Sequence, residues 1–152
     1  MRKREGCGEN EAGKKNKESK MNKVEAIEAY KQAIRMNPDD ADSHYNLGYT
    51  YGNLGMYEEA IEAWKQAIRI DPDNAEAHNN LGSAYGNLDM YKEAIEAWKQ
   101  AIRIDPDNAA AHVNLGNAYD CLNDRGSALE QYKILKSIDP ELANDLFHSI
   151  YK

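Results

Sequence analysis

The chain has 152 residues, two cysteines and a formal net charge of −7. That length suits one domain. Excess negative charge disfavours nucleic acid and anionic membrane surfaces as partners, and no apolar run approaches the roughly 18 residues that a membrane span needs. Cys7 and Cys121 do not make a disulfide framework, so a reducing cytoplasm is the simplest compartment.

Residues 1–21 are Glu, Lys, Gly and Asn with almost nothing apolar. Such a segment buries too little surface to offset its ordering entropy and is expected to be a disordered polar tail. The first 23 residues carry +4, so the rest carries −11. Arg2-Lys3-Arg4 has the charge that opens a signal peptide, but no apolar segment follows it. The basic clusters, Arg2-Lys3-Arg4 and Lys14-Lys15, belong to a solvated tail, meet an acidic partner or act as a targeting signal.

Asn22 to Met36 reads as a helix, because Val24, Ile27, Tyr30, Ala33 and Ile34 recur at helical spacing. From Ala41 a 34-residue unit begins, and the next unit differs from it at only seven positions. A third copy starts at Ala109 and is looser, and residues 24–40 match only the second half of the unit. A fixed period of this size means stacked supersecondary units in which each contacts its neighbours. Asp40, Asn74 and Asn108 stand at N-cap positions after Asn-Pro or Asp-Pro. A first helix of about fourteen residues follows each cap, as from Ala41 to Leu54. Gly55 and Asn123 suit a left-handed C-cap, and Asp89 suits it less well. The second helix runs from about Tyr57 to Ile70, with Ala60, Ile61, Trp64, Ala67 and Ile68 as its apolar stripe. After Pro140, Glu141 to Tyr151 forms a last helix with Leu142, Leu146 and Ile150 on one side.

Numbering the unit from Ala41, position 7 is Leu47, Leu81 and Leu115, and position 8 is Gly48, Gly82 and Gly116. Position 11 is Tyr51, Tyr85 and Tyr119, and position 20 is Ala60, Ala94 and Ala128. Position 24 is Trp64, Trp98 and Tyr132, position 27 is Ala67, Ala101 and Leu135, and position 32 is Pro72, Pro106 and Pro140. This resembles the tetratricopeptide repeat (TPR) family over about Asn22 to Leu142. Position 4 departs, with His44, His78 and His112 where the family carries Trp. The resemblance implies an all-α, right-handed superhelical array of antiparallel helix pairs. Its parts are a half repeat (22–40), full repeats at 41–74, 75–108 and 109–142, and a capping helix at 143–152, all within one domain at 22–152.

The resemblance also implies core positions for Trp64 and Trp98. Each is expected to bury about 150 Å² or more, worth on the order of 3 kcal/mol. A helix-interior glycine costs roughly 1 kcal/mol against alanine. At position 8 the offset is close approach of paired helices. At position 12 (Gly52, Gly86) it is either packing or room for a ligand in the groove.

No Gly-rich phosphate loop, Cys-x-x-Cys pair, His-Glu-x-x-His or nucleophile triad is present, which points to a non-catalytic protein without metal or cofactor. His44, His78 and His112 fall one per unit, about 10 Å apart, too far to share one ion. Packing at the start of each first helix is their expected role.

In the family, the first helices line a concave face that binds extended peptides or partner helices, through positions 2, 5, 6, 9, 12 and 13. Position 6 is an unbroken row, Asn46, Asn80 and Asn114. A carboxamide pairs with a backbone amide whatever the side chain, and a step of about 10 Å spans roughly three extended residues. The alternative is that the row is solvated or braces neighbouring helices. Tyr45 and Tyr49 form a candidate aromatic hot spot, or else cover the first helix; Asn79, Ser83, Val113 and Asn117 are the smaller equivalents. Some members clamp a chaperone's C-terminal carboxylate with Lys and Arg at positions 2, 5 and 6. Asp42, Glu76 and Ala110, with Tyr45, Asn79, Val113 and the asparagines, replace those cations here. No clamp is expected, and Asp42, Glu76 and Asp120 favour a neutral or basic ligand.

The expected function is therefore non-catalytic protein binding in the groove. Two rivals are self-assembly, as a homodimer through residues 22–36, and service as the targeting arm of a longer enzyme.

Overall fold

The computed structural model describes the backbone from Glu11 to Lys152 and side chains from Asn22 onward. The described residues form eight α-helices and no strand. They are α1 (Glu11–Met36), α2 (Ala41–Asn53), α3 (Tyr57–Ile70), α4 (Ala75–Asn87), α5 (Tyr91–Ile104), α6 (Ala109–Cys121), α7 (Arg125–Ile138) and α8 (Pro140–Ile150). Each helix packs on the next, and α2 also touches α4, α4 touches α6, and α6 touches α8. The first helices of successive repeats thus stand side by side as one wall.

Two boundaries differ from the sequence reading. Helix begins at Glu11, inside the segment expected to be disordered, while residues 1–10 lie outside the described residues. Glu, Lys and Ala in residues 11–20 are strong helix formers. Once α1 is nucleated by packing on α2, propagation backward adds one hydrogen bond per residue. This stretch continues α1 without a turn, so it does not supply an antiparallel partner for α1. At the other end, α8 begins at Pro140, one residue before the last helix expected from Glu141 and inside the third repeat rather than at the 143–152 boundary, because Pro occupies the first helical turn and the Asp139 carboxylate accepts from the Glu141 and Leu142 amides.

The turns repeat with the sequence. Gly55, Asp89 and Asn123 all adopt positive φ, at 73°, 57° and 59°. The Met56 amide donates to Tyr51 O and the Gly55 amide to Gly52 O, both at 3.0 Å. The same pair of bonds recurs at Met90 and Asp89, and at Asp124 and Asn123. This is the Schellman motif three times over, and Asp89 adopts it despite its Cβ. The Asn74 and Asn108 side chains cap α4 and α6 by accepting from the Ala77 and Ala111 amides, at 2.9 and 3.0 Å. Asp40 instead accepts the Ser43 hydroxyl, and that bond holds its carboxyl below the usual carboxylate value.

The histidines bind backbone. His44, His78 and His112 donate through Nε2 to the carbonyls of Pro38, Pro72 and Pro106, at 2.9, 3.0 and 2.8 Å. Each ties the start of a first helix to the loop before it. His112 is buried, and its Nδ1 lies 2.8 Å from the Gln131 carboxamide.

The core sits between paired helices. Trp64 and Trp98 are each 5% exposed, and their indoles lie flat against glycine backbone. A Cβ on Gly48 would come within 2.8 Å of Trp64 Nε1, and one on Gly82 within 2.6 Å of Trp98 Nε1. Position 12 meets the same rings: a Cβ on Gly52 or Gly86 would stand 3.1 or 3.3 Å from the indole Cη2. In the third repeat, α8 does this work. A Cβ on Gly116 would stand 2.6 Å from Leu146 Cδ2, and Leu135 is fully buried. On α1, Ile27 is buried rather than bare, while Val24 is 56% exposed. Ala26, Tyr30 and Ala33 are half-buried where their equivalents Ala60, Trp64 and Ala67 are buried.

Candidate functional site: the face of the first helices

The wall of α2, α4 and α6 carries two pockets. One lies between α2 and α4, with a volume of about 230 Å³, and the other between α4 and α6, about 310 Å³. They are the same site one repeat apart. Position 9 supplies Tyr49 to the first and Ser83 to the second; position 12 supplies Gly52 and Gly86; position 17 supplies Tyr57 and Tyr91. The floors are the indoles of Trp64 and Trp98, and the next helix closes each pocket with Asn80 or Asn114 at position 6. Ser83 and Asn87 line both, forming the ridge between them. No Asp, Glu, Lys, Arg or His lines either pocket. The bare backbone of Gly52 and Gly86 serves both offered purposes, since it admits the indole on one side and opens the pocket on the other.

The predicted groove residues divide. Tyr49, Asn80, Ser83, Asn114 and Asn117 line these pockets. Tyr45, Asn46 and Asn79 do not. Tyr45 is half-buried, and its hydroxyl accepts from Asn80 Nδ2 at 3.1 Å. Burial and the neighbouring Glu76 carboxylate push its hydroxyl well above the usual tyrosine value, against a smaller opposing pull from Asn80. Tyr49, by contrast, is 53% exposed. Asn80 and Asn114 brace helices as well as lining the pockets: Asn114 Nδ2 donates to Asn79 Oδ1 at 3.4 Å, and Asn80 Nδ2 to the Tyr45 hydroxyl. The main-chain oxygen of Asn79 accepts both the Trp98 indole N–H and the Ser83 hydroxyl, each at 3.1 Å.

Asn53, Asn87 and Cys121 stand at position 13, one of the expected groove positions, whereas sequence reasoning did not single out Tyr57 and Tyr91 at position 17. The signal was available, because position 17 repeats a tyrosine directly after the turn. Among the described residues no group of three or more His, Cys, Asp or Glu could hold a metal ion, and no helix is long and apolar enough to cross a membrane. Outside the groove, a hollow of about 480 Å³ lies against Leu81, Tyr85 and Ala97, rimmed by Glu93 and Glu96, and Leu47, Tyr51 and Ala63 form its smaller counterpart one repeat earlier.

No curated protein sequence matches this chain. Among solved structures, a crystal structure of MamA is 28% identical, with a TM-score of 0.78 over 95% of this chain and 94% of that one. A second MamA crystal structure is 29% identical, with a TM-score of 0.77 over 90% and 85%. Residues 41 to the end of MamA from Desulfovibrio magneticus RS-1 share the fold at 20% identity, with a TM-score of 0.74. These likenesses and the repeat architecture support a protein-interaction or scaffold module. The TPR repeat family model matches residues 24–55, 53–89 and 90–120, and the chain belongs to the tetratricopeptide repeat family.

Proposed function

We propose that the chain is a non-catalytic protein-binding module that holds an extended peptide segment across α2, α4 and α6. The observation that carries this reading is the recurrence of one uncharged pocket at a single-repeat interval, with a shared ridge at Ser83 and Asn87. An interval of about 10 Å corresponds to roughly three residues of extended chain. A surface already formed by packed helices spends little ordering entropy on binding. The partner segment is neutral or basic, since Asp42, Glu76 and Asp120 border the wall while the pockets are uncharged. Nucleic acid and anionic membrane do not fit this charge. A reducing cytoplasm suits the exposed free thiol of Cys121.

Selection from a random peptide library displayed on phage tests the reading. Enriched peptides are expected to bind the wild-type chain and to lose affinity for Asn80→Ala, with its melting temperature within a few degrees of wild type. No enrichment, or enriched peptides that ignore groove substitutions, would remove the reading. A homodimer through residues 22–36 of α1 is a second reading, favoured by the exposure of Val24 and the half-burial of Ala26, Tyr30 and Ala33. Light scattering at two concentrations decides it: a single mass near the 17.2 kDa of the chain rejects it.

A further inference from the structure

The two pockets repeat with the helices, so their spacing constrains the backbone that fills both. Equivalent lining residues lie on α2 and α4, or on α4 and α6. The step between pockets is therefore the spacing of packed helices, about 8–10 Å. A β-strand turns alternate side chains to opposite faces, so one face offers steps of about 7 Å or about 13 Å, two or four residues apart. Neither matches. A polyproline II helix has three residues per turn and rises about 3.1 Å per residue, so side chains three apart point the same way at about 9.3 Å. That step fits. An α-helix also places residues seven apart at about 10.5 Å on one face.

The lining separates these last two. Asn80 Nδ2 donates to the Tyr45 hydroxyl, Asn87 Nδ2 to the Ser83 carbonyl and Asn114 Nδ2 to Asn79 Oδ1. Each of these pocket carboxamides has a second N–H for a ligand carbonyl. The carbonyls of an α-helix are already bonded within it, whereas a polyproline II backbone has no internal hydrogen bonds. Proline sharpens the match, because it brings a carbonyl acceptor and no N–H. Tyr49, Tyr57 and Trp64 line one pocket, Tyr91 and Trp98 the other, and no charged side chain lines either. An uncharged pyrrolidine ring suits aromatic lining, whereas a charged group would be desolvated there without a partner.

The geometry points to a proline-containing segment in the polyproline II conformation, with prolines three residues apart seated in the two pockets. This deepens the groove reading and rests on it. Charge complementarity adds basic flanks to the segment, since Asp42 and Glu76 border the wall.

Four peptides of one length with lysine flanks test the assignment by calorimetry. Three carry two prolines set two, three or four residues apart among alanine and glutamine, and the fourth is helical with two leucines seven apart. The three-residue spacing is expected to bind at least about fivefold tighter than any other, reflecting a second seated ring. Tyr49 is 53% exposed, so Tyr49→Ala is expected to keep the melting profile and to weaken that peptide about two- to tenfold. Ser83→Arg, on the ridge between the pockets, is expected to abolish the spacing preference. Tightest binding by another peptide, no binding by the series, or a preference unchanged in both variants overturns the assignment. The two readings fail separately: library peptides that bind the groove while the spacing series shows no such preference remove only the polyproline ligand, and a failed library selection removes the groove reading itself.

Discussion

Gly82 and Trp98 make the packing argument testable at a single pair of atoms. Gly82→Ala adds a methyl that would stand 2.6 Å from Trp98 Nε1 and 2.8 Å from Cδ1 and Cε2. The indole is 5% exposed and its N–H is held by the Asn79 carbonyl, so the ring has no free direction in which to swing. Overpacking of this kind costs about 1–3 kcal/mol, while alanine returns roughly 1 kcal/mol as a better helix former. A net loss of up to about 2 kcal/mol is expected. Trp98→Ala alone is expected to cost about 3–5 kcal/mol. In the double variant the methyl meets open space, and only its helix preference remains. Gly82→Ala is then expected to stabilise by up to about 1 kcal/mol in the Trp98→Ala background, a coupling of about 1–3 kcal/mol. Urea unfolding of the four chains, followed by helical circular dichroism, measures the cycle. Coincidence with the fluorescence of Trp64 checks that the array unfolds as one unit, which repeat proteins do not guarantee. Additivity within about 0.5 kcal/mol would refute the claim that these glycines exist to admit the indoles.

Other positions give shorter tests. Asp89 occupies a left-handed backbone conformation at φ 57°, so Asp89→Gly is expected to raise stability by about 0.5–1 kcal/mol in urea titration, less the loss of its bond to Tyr91. Asn108→Ala removes the acceptor for the Ala111 amide and is expected to cost about 1 kcal/mol by the same assay. Hydrogen bonds from Ser127 hold the Asp124 carboxyl below its ordinary 3.8, so its contribution is present above that pH and is lost as pH falls through the lowered value. Asp124→Ala is therefore expected to lower the urea midpoint at neutral pH, with the difference from wild type closing under strong acid. The Tyr45 hydroxyl is raised above its ordinary 10.0, chiefly by burial, so its contribution is whole below that pH and is lost as pH climbs toward the raised value. Tyr45→Phe is expected to lose less stability than wild type on passing above pH 10.

The repeat and its helix boundaries were legible because they depend on local chemistry. Pro after Asn or Asp, an Asn cap and a small residue at the turn recur every 34 residues, and the helices stop where these stand. Asp89 shows that register outranks residue preference, since its neighbours impose the same turn that Gly55 takes freely. The start of α1 was not legible from apolar pattern, because helix there extends from a packed segment into residues with helical propensity alone. The histidines are legible in retrospect: each stands six residues after a proline whose carbonyl it binds, but a backbone partner leaves no residue-type signature. The groove was half legible. The asparagine row was visible as a period, yet whether Tyr45 points into the groove or across to Asn80 depends on side-chain direction, which spacing does not specify. The pockets themselves depend on what position 17 contributes from beyond the turn.

Ser83 lies on the ridge common to both pockets, and Tyr49 shows that its repeat position accepts a large side chain. Ser83→Arg obstructs both subsites at once, whereas Glu93→Arg alters the hollow outside the groove. The decisive measurement is the affinity of one library-selected peptide for wild type, Ser83→Arg and Glu93→Arg by calorimetry, with all three chains showing the same melting profile. The account predicts at least about a tenfold loss, or roughly 1.4 kcal/mol, for Ser83→Arg and no change for Glu93→Arg. Unchanged binding by Ser83→Arg with loss in Glu93→Arg would place recognition outside the groove and contradict the account.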